Sequence, residues 1–140
     1  MSTKIYMRKE IEFDFKVSNR YKFYITEDGH VYKLDTRNGK EDECYYHISR
    51  GYKRIRVTDI ETKKRRYLRV HRLVAKYYVP NPKPNEYNLV NHIDCNTMNN
   101  HYTNLEWCNT SMNTQHAYDN GLIKDRGGWK STPYSQRINK

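Results

Sequence analysis

Leu89–His116 reads LVNHIDCNTMNNHYTNLEWCNTSMNTQH. Side chains able to hold a metal or carry a proton (Asn91, His92, Asp94, His101, Asn104, Asn113, His116) crowd beside a few apolar ones, Leu89, Val90, Ile93, Leu105 and Trp107. A segment that served only a core would not carry so many amides and imidazoles. Each buried polar group left without a partner costs about 1–3 kcal/mol. The apolar positions divide the stretch into a short strand at Leu89–Ile93, an Asn-rich loop to about Thr103, and a return strand at Leu105–Cys108. A helix follows, with Thr110 or Ser111 as the expected N-cap, running through Met112, Gln115, His116 and Tyr118 to Gly121 at C′. Trp107 is expected to pack in the core.

The charge pattern around this stretch is uneven. The 140-residue chain has a formal net charge of +10, which points to a polyanionic partner. Residues 52–76 hold ten basic and two acidic side chains, residues 77–120 one basic and four acidic, and residues 121–140 five basic and one acidic. A slightly acidic island between basic arms suits a pocket that holds a cation while its flanks grip phosphates. The polar stretch is therefore expected to form a compact catalytic site in which His and Asn side chains handle a divalent cation and a phosphate.

Length and composition set further bounds. One domain's worth of chain with 36% apolar residues allows a modest core. No apolar run approaches the roughly 18–20 residues of a membrane span, and the N-terminus lacks the apolar core of a secretory signal. An intracellular protein without membrane association is the expectation. The three cysteines, Cys44, Cys95 and Cys108, form no CxxC pair and are expected to be reduced thiols. One alternative brings Cys95 and Cys108 together across a hairpin as zinc ligands with two histidines, as in an RNA-binding zinc protein.

Outward from the central stretch, the N-terminal half reads as β structure. Ile11, Phe13, Phe15 and Val17 alternate as in a strand. Tyr21–Ile25 and His30–Leu34 form two strands joined at Glu27-Asp28-Gly29, since Asp-Gly favours a tight turn. Asn38-Gly39 marks another turn, Glu41–Glu43 a solvated tip, and Tyr45–Ile48 a further strand. Tyr52–Thr58 and Arg66–Val70 alternate around a 59–64 loop, giving a basic hairpin with cations at its tip and on one face; Lys53, Arg54, Arg56, Lys63, Lys64, Arg65, Arg66 and Arg69 on it, and Arg72 just beyond, are the expected DNA contacts. Two-stranded ribbons fit the major groove. Val70–Val79 has helical spacing and is stopped by Pro80 and Pro82. His71, at its start, is expected to be structural or to contact phosphate.

The ordered set VHRLVA, NHID, NN and NLEW, with an Asn and a His on the last helix, resembles the HNH nucleases, specifically homing endonucleases of phage and intron origin. The resemblance implies an α+β fold. A small antiparallel β element (residues 1–69) would precede a ββα-metal finger (70–120) and a basic C-terminal tail (121–140). It also implies that His92 is the general base on water, that Asn91 and Asn113 are ligands of Mg²⁺ or Mn²⁺, and that Asn104 orients the histidine through the backbone. Asp94 and His116 are possible accessory ligands. The implied partner is double-stranded DNA, with the oligomeric state open between monomer and dimer. One finger with one histidine is expected to nick one strand, in the cytoplasm of the cell that hosts a phage or mobile element. Asn91 stands where many relatives carry aspartate, and Cys95 where a glycine is common. A catalytically silent DNA-binding protein is therefore the alternative. No helix-turn-helix module follows the finger, so recognition is expected to rest on the basic hairpin and tail.

Overall fold

The computed structural model describes residues 8–121. The basic tail beyond residue 121 lies outside them. The fold is α+β: nine short strands, two α-helices and one 3-10 turn among the described residues, with the strands in sheets of four, three and two. Strands β1 (Arg8–Glu10), β2 (Tyr21–Thr26), β3 (Val31–Asp35) and β4 (Glu41–Glu43) form the first sheet in that order, all antiparallel. The β2–β3 turn forms where Asp28-Gly29 is expected to place it, and Gly29 takes φ +91°. Thr26 N donates to His30 O at 2.9 Å, which closes the turn.

Two expectations for this sheet need correction. Ile11–Val17 does pack its alternate side chains against the core. It is nevertheless no strand, because its backbone meets neighbours only at its two ends, Ile11 N on Phe23 O and Lys16 O accepting from Ile60 N, with no ladder between them. Glu41–Glu43 is solvated as expected but forms the edge strand β4 instead of a tip, anchored by an ion pair from Arg8 to Glu41 (2.7 Å) and by His30 Nδ1 on Glu43 (2.7 Å). Charged side chains are a common way to keep an edge from pairing with another chain.

The second sheet holds β5 (His47–Ser49), β6 (Tyr52–Asp59) and β7 (Lys64–Arg69). A two-residue turn, Arg50-Gly51, joins β5 to β6 with both residues at positive φ (54° and 85°), as the twist of a tight hairpin requires. β6 and β7 pair from Arg54↔Arg69 to Asp59↔Lys64. Since faces alternate, Arg54, Arg56, Arg65 and Arg69 share one face with Tyr67, while Ile55 and Val57 turn to the core. By register Lys53, Lys64 and Arg66 fall on the core-side set: Lys53 Nζ lies over the Tyr46 ring, and Arg66 pairs with Asp59 at 3.2 Å. The cations of the hairpin are thus divided between two faces.

Helix α1 (Val70–Tyr78) buries Val70, Leu73, Val74 and Ala75 and ends just before Pro80. Its apolar side joins Ile11, Phe23, Ile25, Val31, Ile55, Val57 and Leu105 in one cluster, so residues on both sides of position 70 share a single core. The finger follows: β8 (Leu89–His92), a loop closed by the 3-10 turn Tyr102–Asn104, β9 (Leu105–Cys108) and α2 (Thr110–Asp119). The helix N-cap is Asn109, not Thr110 or Ser111; its side chain accepts from Met112 N at 2.8 Å, while Thr110 is already helical. Gly121, at φ +74°, ends α2 as expected. The core position expected for Trp107 is only half reached: it is partly buried, and its indole N–H donates to Val79 O at 3.0 Å, which ties β9 to the end of α1.

Two of these local geometries have measurable consequences. The Asp59 carboxylate accepts from Glu61 N, Thr62 N and Arg66 in the β6–β7 turn. Burial alone would raise its pKa, but those bonds outweigh it and hold the pKa below the ordinary value. A lowered carboxylate pKa stabilises the fold above the unfolded-state value and stops doing so as pH falls through the folded one. Asp59→Asn should therefore melt lower than wild type at pH 7, with the gap closing as pH drops below about 4. Cys95 sits at φ 64°, where a Cβ costs about 1 kcal/mol. Cys95→Gly should raise the denaturation midpoint, by less than that full amount because glycine also loosens the unfolded chain.

Candidate active site

The hairpin register decides which finger side chains converge. Asn91 pairs with Glu106 and His92 with Leu105. Neighbouring residues on a strand face opposite sides, yet at the end of β8 both border one cleft of about 260 Å³. Asn113, His116 and Ala117 of α2 form another wall, and Tyr52, Arg69, His71 and Arg72 supply the rest together with Leu89, Val90 and Cys95. The structure thus brings Asn91, His92, Asn113 and His116 together. Arg69 and Arg72 at its border also line a larger groove of about 630 Å³ with Arg54, Tyr67 and Lys76. The basic face of the second sheet is therefore continuous with the cleft.

His92 is 4% exposed, and its ring lies among two aromatic neighbours. Its centroid is 4.8 Å from that of His71 and 5.8 Å from that of Tyr52. Nε2 lies 2.8 Å from Asn100 Oδ1. Burial lowers the His92 pKa, while Asn100 and the charge of Asp94 pull the other way without cancelling it. The imidazole is therefore neutral at pH 7, the form a proton acceptor needs. His71 is pushed down further, to about 3, by burial and then by His92, Arg69 and Arg72. Two close imidazoles can coexist here because neither carries charge.

Asn91 is oriented without ambiguity. Its Nδ2 donates to Glu106 Oε2 at 2.9 Å, and a carboxylate can only accept. The amide oxygen is thereby left for an outside partner. Hard oxygen donors such as the Asn91 and Asn113 amides suit Mg²⁺ or Mn²⁺ better than zinc, and the Glu106 carboxylate adds negative charge close by. The donor set thus fits a hard divalent cation. Among the described residues no three His, Cys, Asp or Glu side chains gather as a metal-ligating group. The zinc alternative finds no support there: Cys108 is buried in the core, its thiol pKa raised to about 11 by burial.

Asp94 and Asn104 are placed elsewhere than the cleft. Asn104 Oδ1 accepts from Asp94 N at 3.0 Å, and its Nδ2 donates to Asp94 Oδ1 (2.8 Å) and Asn99 O (2.9 Å). Its own carbonyl accepts from Ile93 N. Asn104 thus grips the backbone just past His92 and does not touch the imidazole. The Asp94 carboxylate accepts from Asn99, Asn96 N and Asn104, which hold its pKa low. His116 Nε2 donates to Ile93 O at 3.0 Å, pinning α2 to the end of β8, and both ring nitrogens lie 3.9 Å from Cys95 Sγ.

Of the expected DNA contacts, Arg56, Lys63, Lys64, Arg65 and Arg69 are exposed. Arg66 and Arg72 are exposed as well, Arg66 paired with Asp59 and Arg72 donating to Asn88 O, whereas Arg54 stacks over Tyr67 at 4.0 Å, its Nε buried without a partner. Sequence reasoning missed two residues at the site, Glu106 and Asn100. Counting the hairpin register would have put Glu106 opposite Asn91. For Asn100 the second Asn of the NN pair was the sole signal, because its partner is reached through the loop's fold.

No family model matches the chain. It is 37% identical over 111 residues to an uncharacterized HNH endonuclease of Acanthamoeba polyphaga mimivirus, covering 79% of this chain and 29% of that protein. A second HNH endonuclease of the same virus is 32% identical over 121 residues, covering 83% and 28%. YosQ, a prophage-derived protein of Bacillus subtilis named as an HNH homing endonuclease, is 34% identical over 122 residues, covering 87% and 63%. The chain therefore spans less than two thirds of the length of each of these relatives. Among solved structures, that of the HNH homing endonuclease I-HmuI, described for its DNA binding and cleavage, superposes with a TM-score of 0.59 at 26% identity, covering 81% of this chain and 62% of that one. With the ββα finger that carries His92, Asn104 and Asn113 in the expected order, the chain is similar over about four fifths of its length to HNH endonucleases, the homing enzymes YosQ and I-HmuI among them.

Proposed function

We propose that the chain is a divalent-cation-dependent DNA endonuclease that nicks one strand, with His92 as general base. The observation that carries this reading is the convergence of Asn91, a neutral buried His92 and Asn113 on one cleft bordered by Arg69 and Arg72. Phosphodiester hydrolysis needs a proton acceptor for water and positive charge beside the phosphate. Asn91 and Asn113 would hold Mg²⁺ or Mn²⁺, which offsets the charge that develops on the phosphate. His92 takes the proton from water, Asn104 holds the backbone behind it, and Glu106 keeps the Asn91 oxygen turned outward. Arg69 and Arg72 seat the phosphate, while Arg56, Lys63, Lys64 and Arg65 extend the contact along the duplex. One base per chain makes the nicking unit a monomer, acting inside the host cell of a phage or mobile element.

Supercoiled plasmid should pass to open circles with Mg²⁺ or Mn²⁺ and stay supercoiled with EDTA. His92→Ala should lose nicking by at least about a hundredfold while gel-shift affinity stays within twofold of wild type. The alternative, a silent DNA-binding protein, is favoured by Asn91 in place of a charged ligand. Wild-type protein that binds DNA yet cuts none with either ion would establish it.

Binding to phosphates releases counterions, so it weakens with salt. Replacing Lys63, Lys64 and Arg65 by alanine should weaken binding to all sequences alike. It should also flatten the slope of log affinity against log salt by about 1 for each phosphate left without its cation. An unchanged slope would place the duplex elsewhere.

A further inference from the structure

We propose that Asn100 is a positioning residue that fixes the His92 imidazole as its Nε2–H tautomer, and that the β2–β3 turn at Gly29 holds Asn100 in place. The proposal rests on the reading of His92 as base, and it assigns the basic nitrogen to Nδ1.

The two edges of the ring face different surroundings. Asn100 is 5% exposed and does not line the cleft, so the Nε2 edge that it meets at 2.8 Å faces the floor. Nδ1 has no hydrogen-bond partner among the described residues and is not among the buried atoms that lack one. It is the nitrogen left toward the cleft. With Asn100 Oδ1 accepting, the proton must sit on Nε2 and the lone pair on Nδ1. Turning the amide over would reverse this and bury the lone pair against Asn100. The tautomer, and with it the availability of a base, is therefore set by one amide.

Asn100 is in turn placed from another part of the fold. A Cβ on Gly29 would lie 2.8 Å from Asn100 Cβ, closer than side chains pack, and 3.4 Å from the Asn100 backbone O. The turn touches the loop again where Tyr102 N donates to Glu27 O at 2.8 Å. On the other flank Thr97 Oγ1 donates to Gly51 O at 2.6 Å. The loop that presents Asn100 is thus cradled between two tight turns of the N-terminal sheets. Glycine at position 29 serves both the positive φ and the close approach.

The test is a long-range ¹H–¹⁵N correlation spectrum of protein labelled at its histidine ring nitrogens, with His92 assigned by loss of its signals in His92→Gln. Wild type should show the Nε2–H pattern. Asn100→Asp, which keeps the acceptor, should retain it, and Asn100→Ala should give mixed tautomers. In plasmid nicking, Asn100→Ala should lower kcat about tenfold or more with KM little changed, and Asn100→Asp should recover most of it. Gly29→Ala should shift the His92 signals and lower kcat in the same direction. An Nδ1–H pattern in wild type overturns the proposal whether or not any variant folds, as does wild-type kcat in a folded Asn100→Ala. The tautomer is read without DNA or metal. If it is as proposed and His92→Ala still nicks normally, the base reading falls while the positioning role stands.

Discussion

The structure around the cleft depends on one side chain, the amide of Asn104, which closes a loop that no apolar core closes. Between Ile93 and Tyr102 the chain buries almost no hydrocarbon, and Ile93 and Met98 are both exposed. Such a segment is held only by satisfying its own polar groups. Asn104 does so with both atoms of its amide, on Asp94 at one end of the loop and Asn99 at the other. Asp94, Asn96 and Asn99 then bond the backbone two residues ahead in turn, each replacing a backbone partner that sheet or helix would have given. The Asn-rich composition is thus a structural requirement of the loop.

The consequence is a division of labour among similar residues. Asn91 and Asn113 face the cleft, whereas Asn99, Asn100 and Asn104 face inward. Asp94, the carboxylate nearest His92 in sequence, is consumed by the loop, and the carboxylate that reaches Asn91 comes from the facing strand as Glu106. Negative charge near the cleft is thereby kept one hydrogen bond behind the Asn91 amide oxygen. A neutral amide there is compensated through its hydrogen bond, which also fixes which of its atoms faces out.

Much of this was legible in sequence. The Asp28-Gly29 turn, the β6–β7 alternation, α1 with its proline stop and the strand–loop–strand–helix finger all carry local signals: positive-φ glycine, period two, period 3.6. What failed was decided by partners distant in the chain. Ile11–Val17 alternates like a strand but bonds its neighbours only at its two ends, and Glu41–Glu43 looks like a tip but finds the edge of β3. Asn109 rather than Thr110 caps α2 because the break in backbone direction falls one residue earlier, where β9 ends. The tilt of Lys53 and Arg66 to the core side follows from register, which a list of basic residues does not contain. Asn100 and its buttress at Gly29 lie too far apart in the chain for any local pattern to join them.

The arrangement of charge explains why the basic sheet sits where it does. Arg54 and Arg69 are directly opposed across β6 and β7, an arrangement that costs stability when like charges face each other in water. The fold lessens this by spreading the cations over aromatic faces: Arg54 over Tyr67 at 4.0 Å and Arg69 over Tyr52 at 5.7 Å. Tyr52 is also a ring neighbour of His71 and His92. One tyrosine therefore connects the cationic face to the buried imidazoles, and any anion drawn to Arg69 arrives at the edge of the cleft. Burial keeps His71 and His92 uncharged, so positive charge is confined to the arginines at the border and the imidazole is spared as an acceptor. A cation-rich sheet and a finger that holds a neutral histidine are in this way parts of a single core, joined through α1 and through two turns that press on the same loop.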